Sequence, residues 1–81
     1  MVTPESIKAG IEAKLATERV EVVGDGQHFQ ALVVSAGFEG KSRIQRHQMV
    51  YAALGDRMRE EIHALSMRTL TPAEWNSQGS P

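Results

Sequence analysis

Eighty-one residues suit one small domain and leave no room for two independent hydrophobic cores. The chain has no cysteine, which excludes a disulfide scaffold, a thiolate zinc site and a cysteine nucleophile. Nine Lys and Arg against ten Asp and Glu give a formal charge of −1, so no global field draws the chain onto nucleic acid or anionic lipid.

The first helix is announced by Thr3-Pro4-Glu5. Thr3 can cap, Pro4 suits the first helical position, and Glu5 complements the helix dipole. Ile7, Ile11 and Leu15 follow at four-residue spacing, which predicts an amphipathic helix over 4–16. Arg19–Val23 is β-branched and of shorter period, a strand. Gly24-Asp25-Gly26 signals a turn, and His28–Ser35 a second, more apolar strand. The short turn makes these two strands an antiparallel hairpin.

Ala36–Lys41 reads as a glycine-flanked connection, after which Ser42 caps a long helix over Arg43–Glu60. Its buried line is His47, Val50, Leu54 and Met58, and Gly55 within it costs about 1 kcal/mol. Ile62–Leu70 returns to strand character, with His63, Leu65 and Met67 on one face. Thr71-Pro72-Ala73-Glu74-Trp75 repeats the capped start and predicts a short last helix anchored by Trp75. The domain is expected over 1–75, with 76–81 a polar tail.

The predicted order is α-β-β-α-β-α, an α+β fold. A right-handed crossover makes the second and third strands parallel neighbours, giving a mixed three-stranded sheet with the helices on one face. The longest strongly apolar run, Ala31–Val34, is far below a membrane span, and MVTPESIKAG lacks the apolar core of a signal peptide. A cytoplasmic protein without membrane contact is expected.

No nucleophile–base arrangement is visible. Ser35, Ser42 and Ser66 have no triad-like context, and the adjacent Glu60-Glu61 pair points about 100° apart on a helix. An enzyme is not expected. Any metal must be met by His, Asp or Glu. His28 begins the second strand after the turn, His47 lies on the apolar line of the long helix, and His63 opens the third strand, where a ring can pack and still present one nitrogen. Gly37-Phe38-Glu39-Gly40 formally matches the GxxG loop of RNA-binding KH domains, but Glu39 sets a negative charge where phosphate would lie. The basic residues that follow, Lys41, Arg43 and Arg46, are the candidate phosphate contacts.

Together, GDGQHFQALVVSAGFEGKSRIQRHQMVYAAL and EIHALSMRTLTPAEW resemble the BolA family, in particular its small bacterial IbaG-like branch. The resemblance runs from the first helix to Trp75 and implies a class II KH-like fold. It implies a non-enzymatic partner of monothiol glutaredoxins, sharing a bridging 2Fe–2S cluster with them and glutathione in iron–sulfur trafficking or iron regulation. His63 matches the family's ligand at the start of the third strand. The second family ligand lies in the loop between the first two strands, where His28 is the candidate; without it, His63 is the sole protein ligand or Asp25 contributes an oxygen. The alternative that the resemblance carries is a KH-like, DNA-binding transcriptional regulator acting through Lys41, Arg43 and Arg46. Alone, the chain is expected as a monomer or weak homodimer with no cluster of its own.

Overall fold

The structure is a computed structural model that describes residues 3–58 and 64–78. The elements are α1 (Pro4–Lys14), β1 (Arg19–Gly24), β2 (Phe29–Val34), a 3-10 turn (Ala36–Phe38), α2 (Arg43–Leu54), a second 3-10 turn (Gly55–Met58), β3 (Leu65–Leu70) and α3 (Pro72–Gln78). The sheet order is β1-β2-β3, with β1 antiparallel and β3 parallel to β2. This is the mixed sheet expected from the sequence.

Each helix opens on a reciprocal capping box, which satisfies amide groups that have no partner within the helix. Thr3 Oγ1 accepts from the Ser6 amide at 3.1 Å, and Ser6 Oγ accepts from the Thr3 amide at 3.0 Å. Ser42 and Gln45 repeat the exchange at the start of α2, as do Thr71 and Glu74 at the start of α3.

One face of the sheet carries the core. Val20, Phe29, Ala31, Val33 and Leu65 meet Ile7 and Ile11 of α1, Val50 and Leu54 of α2, and Phe38 of the first 3-10 turn. The register Val20↔Val33 and Phe29↔Leu65 keeps these side chains on the same side. Ser35 ties the ends together: its Oγ donates to the Ala16 carbonyl at 2.6 Å and accepts from the Gly37 amide at 3.1 Å.

Helices on one face holds for α1 and α2. On the opposite face Val34 and Leu70 are also buried, although neither belongs to the main core. Val34 shares a shallow depression with Pro72, Trp75 and Asn76, so α3 covers that end of the second face. Trp75 also lies 5.0 Å under the Arg19 guanidinium, a cation–π contact that fixes the anchor. The helix runs on through Asn76, Ser77 and Gln78, three residues expected in the tail, and 79–81 lie outside the described residues.

The long helix expected over Arg43–Glu60 ends at Leu54. Gly55 is its C-cap, at φ 60° and ψ −136°, a backbone region in which an L side chain is strained. Residues 59 and 60 of the expected helix, and 62 and 63 of the expected strand, lie outside the described residues. The two readings of Gly55 predict opposite signs for Gly55→Ala. A mid-helix glycine would gain about 1 kcal/mol on substitution, whereas a C-cap at this φ loses about 1–2 kcal/mol. Urea denaturation should show the loss; a gain would restore the continuous helix.

Candidate functional site

The hairpin turn fixes the backbone at His28. Asp25 Oδ1 accepts from the amides of Gln27 and His28, both at 2.9 Å, and the Asp25 amide donates to the His28 carbonyl at 3.2 Å. These backbone donors, His28 first, hold the Asp25 carboxyl below its usual pKa. Gly24 brings the strands close here: a Cβ on it would lie 2.5 Å from Phe29 Cδ1 and 2.7 Å from the His28 carbonyl oxygen. The Phe29 side chain is buried, and His28 beside it is exposed.

The parallel register sets Phe29 opposite Leu65, so β2 and β3 begin side by side at one rim of the sheet. His63 stands two positions before Leu65 in the sequence and lies outside the described residues. Its described neighbours Ala64 and Leu65 are buried. Among the described residues no three His, Asp or Glu side chains gather closely enough to hold a metal ion.

A second feature lies towards the other end of β3. A groove of about 470 Å³ runs along the outer edge of this strand beneath the start of α2, and Lys41, Arg43 and Arg46 all line it. The structure therefore brings the three basic candidates together, but it removes Arg46 as a phosphate contact. Its Nε donates to the Lys41 carbonyl at 3.0 Å and its Nη1 to the Thr69 carbonyl at 3.1 Å. Nη1 and Nη2 then clasp the two oxygens of Glu74 at 2.7 and 3.3 Å. Only 13% of the Arg46 side chain is exposed, so this guanidinium is a clamp between α2, β3 and α3. Its hydrogen bonds, with that from the Thr71 amide, hold the Glu74 carboxyl below the usual range. Nothing in the local sequence signals a pair separated by 28 residues. The GxxG match also takes another meaning: Phe38 at its centre is fully buried.

His47 sits half-buried on α2 beside this groove. Burial lowers its pKa below the usual 6.5, and the charge of Arg43 adds to the effect. The unfolded chain therefore takes up this proton at a higher pH than the folded chain. The stability linked to His47 is full above about pH 6.5 and declines as pH falls below it. His47→Gln removes that titration and should lose less stability than the wild type between about pH 7 and pH 5. Equal losses in urea melts at the two pH values would take His47 out of the acid response. Asp25 and Glu74 act in a lower window: their lowered pKa values add stability that is full above the ordinary carboxylate range and lost as pH falls through it.

The model of the family described as BolA-like protein matches residues 3–74. The chain belongs to the BolA family. Among its BolA relatives, Protein BOLA2 of Arabidopsis thaliana is 45% identical over 80 residues, covering 93% of this chain and 85% of the relative. Acid stress protein IbaG of Escherichia coli (strain K12) is 44% identical over 62 residues, covering 75% and 74%. DNA-binding transcriptional regulator BolA of Haemophilus influenzae is 40% identical over 55 residues, covering 68% and 53%. The solved structure of a bolA protein homologue from Coxiella burnetii superposes with a TM-score of 0.82 at 48% identity, covering 94% of this chain and 99% of that one. The α+β BolA fold, with its parallel β2–β3 pair, is thus shared.

Proposed function

We propose that this BolA-family chain is a non-enzymatic, cytoplasmic partner of monothiol glutaredoxins that supplies histidine ligation to a bridging 2Fe–2S cluster, in iron–sulfur trafficking or iron regulation. The observation that carries the reading is the parallel register of β2 and β3. It starts both strands at one rim, with exposed His28 at the head of one and the segment bearing His63 leading into the other.

The donor set fits such a group. A neutral imidazole can replace a thiolate on an iron–sulfur cluster, and a chain with no cysteine can complete a cluster whose thiolates come from a partner and glutathione. Asp25 accepts two backbone amides through Oδ1, which fixes the turn at His28 and leaves its Oδ2 outside those bonds. The rim is open to a second protein, because every residue from Val23 to His28 is exposed. When bound, the cluster supplies redox-active iron. This chain's imidazoles supply nitrogen donors and make ligation sensitive to protons near the histidine pKa of about 6.5.

The nucleic-acid reading has the printed name of the H. influenzae relative in its favour, and exposed Lys41 and Arg43. It loses Arg46 to the Glu74 clamp, and among the described residues the groove offers a base no Phe, Tyr or Trp ring, only the half-buried imidazole of His47. The glutaredoxin reading is tested by size exclusion of the chain mixed with a cluster-loaded monothiol glutaredoxin and glutathione. The expected result is a heterodimer carrying the visible chromophore. A chromophore that stays with the glutaredoxin homodimer contradicts it.

A further inference from the structure

Among the described residues β3 is an edge of the sheet, and β2 is the strand it pairs with. Two contacts show which of its backbone groups face outward. The Leu70 carbonyl accepts from the Ser35 amide at 3.0 Å, on the β2 side. The preceding Thr69 carbonyl points the other way and accepts from Arg46 Nη1. Strand backbone groups alternate in direction from residue to residue. The N–H and C=O of Met67 and the N–H of Thr69 therefore face the open edge.

That edge forms the floor of the groove described above, and the walls are cationic. Exposed Lys41 and Arg43 stand on the α2 side, and exposed Arg68 on the other. The carboxylate in the lining, Glu74, is paired with Arg46. We propose that this edge accepts an extended acidic peptide segment of a partner protein as a fourth strand. Main-chain hydrogen bonds to Met67 and Thr69 would hold the segment, and alternate acidic side chains would meet Lys41 and Arg43 on one side and Arg68 on the other.

Charge and chemistry choose this occupant over two others. A second copy of the chain would set the same cations against one another across the edge. A nucleic acid could use the cations and stack a base on His47, but a peptide strand alone repeats N–H and C=O groups at the spacing of Met67 and Thr69. The groove occupies the later half of β3, away from the rim that carries His28, so a docked strand and the proposed cluster site are compatible. The inference stands independently of the glutaredoxin reading.

The test titrates the 15N-labelled chain with a short, capped peptide of Glu and Val whose glutamates fall on both faces of an extended strand. Saturation should slow hydrogen exchange at the Met67 and Thr69 amides by about tenfold or more. A Lys41→Ala, Arg43→Ala double variant should bind the peptide at least about fivefold more weakly. The same peptide, N-methylated on the amides that face β3, should not bind. Any of four results would overturn the proposal: equal binding of a Lys and Val peptide, equal binding of the N-methylated peptide, tighter binding of oligothymidylate, or amide protection confined to other parts of the chain.

Discussion

Phe38→Ala should leave much of the protein unfolded in mild urea, although its position between two glycines looks like loop. The ring is fully buried and belongs to the main core with Phe29, Ile7, Ile11 and Val50. Removing a buried phenyl ring costs about 3–5 kcal/mol in lost transfer energy and residual cavity. A domain of this length has only about 4–12 kcal/mol in total. Phe38 also lies 5.8 Å under the Arg46 guanidinium, so the clamp that joins α2, β3 and α3 loses its apolar seat. Phe38→Leu retains most of the volume and should cost about 1–1.5 kcal/mol. Urea midpoints at unchanged m-value separate the two variants. A loss below about 1 kcal/mol for Phe38→Ala would show that the 3-10 turn is a replaceable connection.

The second large effect is expected at His63. With a cluster-loaded monothiol glutaredoxin, His63→Ala should reduce the yield of cluster-bridged heterodimer by about tenfold or more, since losing even an outer partner of a metal ligand commonly costs about 10–100-fold. His28→Ala should give a smaller loss with an altered visible circular dichroism spectrum. The His28 side chain is exposed, so the variant's urea midpoint should match the wild type. Cluster-bridged heterodimer of the wild type should also decline as pH falls through about 6.5. Full yield with both histidines replaced would remove imidazole ligation from the account.

The fold was legible because its signals are local. Thr3, Ser42 and Thr71 announce the three helices through short-range capping, the GDG turn announces the hairpin, and handedness then forces β3 parallel to β2. What escaped the sequence depends on contacts across the chain. Gly55 looked like a tolerated glycine inside a long apolar line, because composition does not disclose that its φ is positive. Arg46 looked like a solvated base beside Lys41 and Arg43, because its partners Thr69 and Glu74 come from elements that only the crossover brings near. Phe38 was hidden by a motif match that ignores burial. At the candidate site, the hairpin end with His28 could be placed from topology, and the register now fixes the pairing of β2 and β3 beside it. The basic groove could not be foreseen, since its floor is the backbone of an edge strand and its walls come from α2 and β3.

The most direct measurement of histidine ligation is pulsed electron paramagnetic resonance of the reduced heterodimer, prepared with this chain 15N-labelled and the glutaredoxin and glutathione at natural abundance. The account predicts hyperfine coupling from 15N directly bound to iron, weakened in His63→Ala and lost when His28 is replaced as well. A reduced, cluster-bearing heterodimer with no 15N coupling from this chain would contradict it.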